Sequence, residues 1–408
     1  MRNFDMVIRS GRLRGAEGLH DVGISQGRIA ALSEKVDGAG DVEIDASGRL
    51  VTGSFVIAHL HLDKVMTGGM VSSRVLESYQ EMSVGGATSA VDLAAEVKER
   101  YDEGEIEERA RRVLENARSH GVTHVRAFAD VDTRAELKGV KPLLKLRDEF
   151  GGSIDLQVVA FPQQGILRDP GSEALLWKSM EMGADVMGGI PWIERTNRNA
   201  ERHIDIAFGI AREFGKDVAM LVDDAGDPDL RTLEYLALRT IQEGYLGRVA
   251  ACHARAMALY DETYFRELTA LLKRAELGVV TNPHTGPLHV RVRDLLDAGI
   301  PVALGQDDVY DTYYPYGRCN MLEVAFLASH LLWMMTPTDM EILYDMITTH
   351  PANVMGLDDY GLHVGARANL VVLNARSVRE ALTHQSTPAY VVSHGSLVAQ
   401  TDVQGKNR

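Results

Sequence analysis

Phe55-Val56-Ile57-Ala58-His59-Leu60-His61-Leu62-Asp63 is an apolar segment that carries two histidines at alternate positions. Side chains on a β-strand point alternately to opposite faces, so His59 and His61 would share one face. Neutral imidazole is a common ligand for zinc, iron, nickel and copper. The segment therefore predicts a buried strand that presents half of a metal site, and two stacked histidines in a polar pocket are the alternative.

The composition is that of an ordinary globular protein and excludes several classes of partner. The chain has 408 residues, of which 45% are hydrophobic and 25% are charged, with a formal net charge of −15. That charge argues against nucleic acids and anionic membranes, because both require basic surfaces. Two cysteines, Cys252 and Cys319, are too few for a disulfide framework. We find no apolar signal region or membrane-spanning run, and we expect a cytoplasmic protein.

The two ends of the chain differ in pattern from its centre. Residues 4–52 and 368–398 read as short strands joined by turns, which predicts one small β-domain made of residues 1–52 plus 359–408. Residues 53–358 alternate short apolar strands with amphipathic helices, which favours a (β/α)8 barrel over an open sheet. The eight predicted strands are Ser54–His61, Thr123–Val131, Ile154–Phe161, Asp185–Ile190, Asp217–Val222, Arg248–His253, Gly278–Asn282 and Pro301–Gly305.

Polar side chains stand at the carboxyl ends of several predicted strands, where the active sites of such barrels form. Each of them alone is explained by a helix cap or a loop position. Their repetition at strand after strand favours a common site. These residues are His59 and His61 on strand one, Gln163 after strand three, Asp223 and Asp224 on strand five, His253 on strand six, and Gln306, Asp307 and Asp308 on strand eight.

These residue types suggest hydrolysis with the help of a metal ion. His59, His61 and Asp307 are able to hold one divalent cation with a position left open for water, whose pKa the cation lowers towards neutrality. Asp307 is also a candidate general base, and His253 a candidate hydrogen-bond donor to the oxyanion or the leaving group. The amide of Gln163 suits the edge of a cyclic amide or amidine.

Seven motifs spread over the chain give a family resemblance. The chain resembles the amidohydrolase superfamily, and within it the group of bacterial cytosine deaminase and N-isopropylammelide isopropylaminohydrolase. The motifs are His-Leu-His-Leu-Asp (59–63), His-Val-Arg (124–126), Asp-Leu-Gln-Val-Val-Ala-Phe-Pro-Gln (155–163), Gly-Ala-Asp-Val-Met-Gly-Gly-Ile-Pro (183–191), Gly-Arg-Val-Ala-Ala-Cys-His (247–253), Gly-Gln-Asp-Asp-Val-Tyr-Asp (305–311) and Tyr-Gly-Leu-His-Val-Gly-Ala-Arg-Ala-Asn-Leu-Val-Val-Leu (360–373).

The resemblance implies a (β/α)8 TIM-type barrel with a small β-sandwich domain built from both termini. It also implies a hydrolase that cleaves a C–N bond of a cyclic amidine, amide or N-substituted heterocycle, by deamination or dealkylamination, with one Zn or Fe ion. The implied metal ligands are His59, His61 and Asp307, with His253 beside the attacking water; the implied proton-transfer and substrate residues are Asp224, Gln163, Asp308 and Tyr313.

Four positions depart from the family pattern. Leu221 stands where the family has a strand-five histidine ligand, and Asp224 stands where it has a glutamate, which is one methylene longer. Phe128 replaces a second pocket histidine, and Gln306 replaces the histidine before Asp307. One interpretation retains the metal, with His253 as fourth ligand and Asp223 within reach of the site. The other interpretation is a lost metal site, and then a metal-independent enzyme or an inactive binding protein.

The same replacements bear on the substrate and on nearby residues. Leu221 and Phe128 make the pocket more apolar, which favours a bulkier or alkylated substrate. Lys64 is either a substrate contact or a solvated loop lysine. His284 and Trp192 are further candidates for the pocket, and the apolar run 331–335 fits either the core or the interface of a homo-oligomer.

Overall fold

The computed structural model describes residues 2–70, 73–81 and 83–401. Its strands are β1 (Arg2–Leu13), β2 (His20–Ser25), β3 (Arg28–Ser33), β4 (Gly38–Asp45), β5 (Leu50–Gly53), β6 (Phe55–His61), β7 (Val122–Asp130), β8 (Asp155–Phe161), β9 (Val186–Gly189), β10 (Asp217–Val222), β11 (Val249–His253), β12 (Gly278–Thr281), β13 (Val302–Leu304), β14 (Leu370–Val372), β15 (Tyr390–Ser393) and β16 (Ser396–Gln400). Its α-helices are α1 (Arg74–Gln80), α2 (Val84–Ala94), α3 (Glu103–Ser119), α4 (Val140–Phe150), α5 (Ser172–Glu181), α6 (Asn197–Phe214), α7 (Thr232–Glu243), α8 (Glu262–Arg274), α9 (Val292–Asp297), α10 (Met321–Leu331), α11 (Pro337–Asp345), α12 (Thr349–Val354) and α13 (Val378–His384).

Strands β6 to β13 form a closed parallel barrel. They pair in chain order, each with the next. Backbone hydrogen bonds beyond β13 close the ring: His61 N donates to Asp307 O at 2.7 Å, and Asp307 N donates to His59 O at 2.9 Å. The predicted (β/α)8 barrel is confirmed, and each observed strand lies within two residues of its predicted bounds.

The barrel forms because its strands are apolar on both faces and its helices on one face only. Every residue of β6 and of β7 is buried, as expected for strands between a barrel interior and a helix layer. Asp102 caps the start of helix α3, since its side chain accepts from the backbone N–H of Glu105. It buries the stripe of Ile106, Ala110, Val113, Leu114 and Ala117, at the spacing of one helical face.

Both chain ends build the second sheet. Its strand order is β16-β15-β14-β5-β1-β2-β3, with β4 paired to β1. Strand β1 pairs with β2 and β4 along its first part and with β5 at its end. One apolar cluster joins Met6 and Ile24 from the N-terminal strands to Leu370 and Val392 from the C-terminal ones. The small domain made from both termini is thus observed, while the exact residues at its boundary stay a prediction.

Two further sequence expectations concern cysteines and membranes. Cys252 and Cys319 are both buried and both free. Among the helices in the described ranges, none is long and apolar enough to cross a bilayer.

Candidate active site

The backbone is unusual where three barrel strands end. Asp223 after β10, His253 at the end of β11 and Asp307 after β13 have φ values of 45°, 69° and 58°. Left-handed conformations are uncommon for residues other than glycine and cost about 1–2 kcal/mol each. Such strain is concentrated at functional sites, where the surrounding fold maintains it. Three strand ends at the carboxyl end of the barrel thus carry a residue in this conformation.

Asp307 is the centre of the polar cluster at this end. Its Oδ1 lies 2.9 Å from Nε2 of His59, 3.5 Å from Nε2 of His61 and 3.7 Å from Nε2 of His253. Its Oδ2 lies 3.7 Å from Nε2 of His284. The structure thus brings together the three predicted histidines and the predicted aspartate, and His284, a further candidate, contacts the same carboxylate.

Burial keeps these imidazoles neutral. It lowers the pKa of His59 to about 3 and the pKa values of His61 and His253 well below the ordinary histidine value. The opposite effect of burial on a carboxyl raises the pKa of Asp307 to about 7. Neutral imidazole is the form that coordinates metals.

The donor atoms around Asp307 lie close enough together to bind a divalent cation. One donor atom from each of His59, His253 and Asp307 lies within 4.8 Å of the other two. Nε2 of His59, of His61 and of His253 all lie within 3.7 Å of Oδ1 of Asp307. Two or three imidazole nitrogens with one carboxylate form a common set for zinc or iron, so these residues fit such an ion.

Leu221 and Asp223 lie close together in sequence but in different surroundings. Leu221 lines the cavity above the cluster and offers no donor atom. Asp223 was expected to face the same site, and that expectation was wrong. Its Oδ1 accepts from Thr232 N at 2.7 Å and its Oδ2 accepts from Leu233 N at 3.1 Å and from the Tyr260 hydroxyl at 2.8 Å. Asp223 caps helix α7, because its left-handed backbone turns the side chain away from the cavity.

Asp224 faces the cavity and is paired with a cation. Oδ1 of Asp224 accepts from Nε of Arg255 at 2.5 Å and lies 3.3 Å from Nδ1 of His253. Arg255 also donates to the backbone oxygens of Asp224 and Thr285. Burial raises the pKa of Asp224, and the charge of Arg255 opposes that rise. Asp224 is thus held in one orientation by a partner that sequence analysis missed.

Gln163 is held by Lys64, which the sequence left as either solvated or substrate-binding. Nζ of Lys64 donates to Oε1 of Gln163 at 2.8 Å and to Oδ1 of Asp130 at 2.8 Å. Lys98 pairs with the other oxygen of Asp130 at 2.8 Å. Lys64 is therefore buried in an ionic network behind the cavity. Because an ammonium only donates, it holds the amide of Gln163 with its oxygen turned towards the lysine.

The cavity has a polar side and an apolar side. Tyr313 and Asp308 line it as expected, and so does Trp192. The polar lining consists of His61, Tyr79, Gln163, Asp224, His253, Asp307, Asp308 and Tyr313, and the apolar lining of Ala87, Val91, Ile190, Trp192 and Leu221.

Two predictions for the pocket need correction. Phe128 was expected in the pocket wall, but it is fully buried and lies behind the lining, with its ring centre 4.2 Å from that of His59. It supports the histidine because strand β7 directs it into the barrel interior. Gln306 serves the backbone instead of the cavity: it donates to Asp308 O at 3.0 Å and accepts from Cys319 N at 3.1 Å.

Sequence reasoning missed Arg255 and Tyr79. Arg255 follows His253 by two residues at a strand end, a position at which a cation beside a predicted carboxylate is detectable in sequence. Tyr79 comes from α1, outside the strand ends, and lines the cavity. No sequence pattern marks it, because its place depends on how α1 folds over the barrel mouth.

Comparisons with known proteins agree with this architecture. A model of the amidohydrolase family matches residues 97–399. The chain is 33% identical to N-isopropylammelide isopropyl amidohydrolase of Pseudomonas sp. (strain ADP), over 98% of this chain and 99% of that relative. It is 31% identical to a crystal structure of 5-methylcytosine deaminase from Klebsiella pneumoniae, with a TM-score of 0.89 over 99% of each chain.

A third relative has the same fold over nearly its whole length. It is N-isopropylammelide isopropylaminohydrolase from Burkholderia multivorans ATCC 17616, with 28% identity, a TM-score of 0.86, and coverage of 97% of this chain and 98% of that one. The family model alone spans well over half of the sequence. The chain belongs to the amidohydrolase family.

Proposed function

We propose that the protein is a metal-dependent hydrolase that cleaves an exocyclic C–N bond of a nitrogen heterocycle, by deamination or dealkylamination. One observation carries the proposal. Oδ1 of Asp307 lies within 3.7 Å of Nε2 of His59, His61 and His253. These residues stand beside a cavity that the amide of Gln163 also lines. The relatives named above are, by name, hydrolases and deaminases of such rings.

The residues proposed to hold the ion are His59, His61, His253 and Asp307. Members of this family typically bind a divalent metal such as zinc, and for this chain we propose zinc or iron. When bound, such a cation lowers the pKa of a coordinated water and supplies a nucleophile near neutral pH. Leu221 contributes no ligand, so the ion here depends on His253 where the family uses a histidine of the fifth strand.

The remaining chemistry falls to side chains of this chain. Asp307 accepts a proton from the attacking water, as its position at the centre of the proposed ligand set allows. His253, as a ligand through Nε2, has Nδ1 3.3 Å from Oδ1 of Asp224 and so helps to orient that carboxyl. Asp224, fixed by Arg255, carries the proton to the departing nitrogen. The carbon–nitrogen bond then breaks, and the products are a ring carbonyl and ammonia or an alkylamine.

Gln163 and the apolar lining of the cavity are proposed to determine substrate specificity. Because Lys64 occupies the amide oxygen of Gln163, the amide NH2 group is the part free to donate to a ring carbonyl. Trp192, Ile190 and Leu221 offer a surface that complements an alkyl group. An N-alkylated or otherwise substituted ring carbonyl compound fits both sides of the cavity.

The test is a substrate panel run with metal analysis on the same protein. Zinc-loaded and iron-loaded enzyme would be offered cytosine, 5-methylcytosine and N-isopropylammelide, with ammonia and isopropylamine measured as products. We expect turnover of at least one substituted ring, abolished by a chelator and restored by the ion. Turnover that persists with no bound metal would favour the metal-independent enzyme. Metal binding without turnover of any C–N substrate would favour a binding protein.

A further inference from the structure

We propose that the barrel mouth holds a second divalent cation, bound by His284, Asp307 and Asp308, with Asp307 shared between the two ions. The inference goes beyond the proposed function, because it rests on donor atoms alone and not on the ring that the enzyme hydrolyses. His284 follows strand β12 in the turn Pro283–Thr285.

The geometry separates two groups of donors around one carboxylate. Oδ1 of Asp307 faces His59 and His253, whereas Oδ2 of Asp307 lies 3.7 Å from Nε2 of His284. Nε2 of His284 lies 3.7 Å from Oδ2 of Asp308. One donor from each of His284, Asp307 and Asp308 lies within 4.8 Å of the other two. Carboxylates that bridge two ions about 3.5–4 Å apart are the usual core of two-metal hydrolytic sites.

Two polar atoms of this group have no hydrogen-bond partner in the described part of the chain, although the carboxyl of Asp308 also contacts those of Asp307 and Asp311. Nε2 of His284 and Oδ1 of Asp308 are buried and have no hydrogen-bond partner there. The two side chains are only 5% and 4% exposed. An unpaired buried imidazole nitrogen beside an unpaired buried carboxylate oxygen costs free energy that a bound cation recovers.

Within the described ranges, the carboxyl groups of this second site have no cationic side chain of their own. Asp307, Asp308 and Asp311 follow one another within five residues and are all buried. The two nearest buried cations are already committed, since Lys64 pairs with Asp130 and Arg255 with Asp224. The three carboxyl groups thus lie together without a free cationic side chain among the described residues, and burial favours their protonated forms by raising their pKa values. A divalent cation that binds there would displace those protons.

His284 is also held in place for this role. Its ring stacks on Tyr314 with centroids 3.9 Å apart and an interplanar angle of 28°. The turn that contains His284 is closed by Thr285, whose backbone N–H and hydroxyl both donate to Asn282 O, at 3.2 and 2.8 Å. A ligand oriented before the ion arrives binds it at lower entropic cost.

The test is the metal content of the full-length protein, stripped with a chelator and titrated with Zn²⁺ or Co²⁺ alone. We expect about two ions per chain in the unaltered protein and about one in His284→Ala and in Asp308→Asn, by elemental analysis after gel filtration. Two Co²⁺ ions bridged by Asp307 should show a spin-coupled electron paramagnetic resonance signal, which changes to that of an isolated ion in His284→Ala.

His289→Ala is the matched control, because it removes a buried imidazole of the same loop that belongs to neither donor group. It should retain two ions and the coupled signal. One ion per chain in the unaltered protein would overturn the proposal, whether or not His284→Ala lost it. The number of ions per chain tests the second site, whereas substrate turnover tests the proposed function. A protein with two ions that hydrolyses none of the substrates would therefore support the first and contradict the second.

Discussion

The Nε atom of Arg255 donates a hydrogen bond to Oδ1 of Asp224 at 2.5 Å, and both side chains are buried in the barrel mouth. The family resemblance implies a glutamate at the position of Asp224. Aspartate is one methylene shorter, and Arg255 fixes it beside His253. The pair makes Asp224 a carboxylate with a defined direction instead of a mobile one.

Arg255→Met should therefore destabilise the protein and lower its activity together. Removing one member of a buried ion pair leaves the other unpaired, which costs about 3–5 kcal/mol of unfolding free energy. Denaturant unfolding at pH 7 measures this loss. The double variant Arg255→Met with Asp224→Asn should recover part of it, because the unpaired charge is gone. The single variant Asp224→Asn completes the comparison. If the loss of unfolding free energy in the double variant equals the sum of the losses in the two single variants, the pair does not act as a unit.

The barrel was predictable because its signals are local. Each strand is a short apolar run and each helix has one apolar face, so strand bounds came within two residues. The meeting of His59, His253 and Asp307 was predictable for a related reason. The carboxyl ends of parallel barrel strands converge, so residues far apart in sequence share one mouth.

Other parts of the site depend on backbone detail that periodicity does not encode. Asp223 was expected at the cavity on alternation alone, but a φ of 45° turns it to cap α7. Phe128 lies one layer deeper than expected, under His59. Tyr79 reaches the cavity from α1, whose placement over the mouth is a long-range packing result. These features follow from tertiary contacts, which no short window of sequence records.

Asp307→Asn should abolish most of the hydrolytic activity while the fold is retained. An amide is isosteric with the carboxylate, but it neither accepts the proton of water nor carries the charge that attracts a cation. We expect kcat to fall by about 100-fold to 10,000-fold, the usual contribution of a general base. Metal content should fall in the same variant. Asp311→Asn is the control, since Asp311 does not belong to either donor group. Equal activity in both variants would contradict the role given to Asp307.

Leu221→His should strengthen metal binding at the first site. Leu221 lines the cavity near the end of β10, and His253 ends the neighbouring strand β11 and lines the same cavity. A further nitrogen ligand should lower the dissociation constant for Zn²⁺ by about 10-fold or more, measured by competition with a chelator. Leu221→Phe adds a ring without a donor and should leave that constant unchanged or raise it. Equal affinities in the two variants would place residue 221 outside the reach of the ion.

Trp192→Ala should weaken the selection of alkylated substrates. Trp192 is the largest side chain of the apolar lining, and one methylene in an apolar pocket contributes about 1–3 kcal/mol to discrimination. We expect the ratio of kcat/KM for N-isopropylammelide to that for an unsubstituted ring to fall by roughly tenfold. Trp177→Ala serves as the control, because Trp177 packs on Phe214 away from the cavity. A ratio that changes equally in both would indicate a general effect on folding.

Asp339 provides an acid-sensitive contact far from the proposed metal site. It is the third residue of α11, where its Oδ2 accepts from the backbone N–H and the hydroxyl of Thr336, at 3.0 and 2.7 Å, and its Oδ1 lies 2.7 Å from Arg293. The hydrogen bond from Arg293 is the main reason that the pKa of Asp339 falls to about 2 from its ordinary value of 3.8. A pKa lowered in the folded state stabilises the fold above the unfolded-state pKa, and the benefit is lost as pH falls through the folded-state pKa.

Asp339→Asn should therefore lower the unfolding free energy by about 1 kcal/mol at pH 7, the usual contribution of a charged helix cap. The difference from the unaltered protein should persist down to about pH 4 and disappear as pH approaches 2. Denaturant unfolding at pH 7, 5, 4 and 2.5 measures it. Arg293→Met removes the main cause of the shift, so the pH dependence contributed by Asp339 should become smaller in that variant. A difference that stayed constant from pH 7 to pH 2.5 would show that the charge of Asp339 does not stabilise α11.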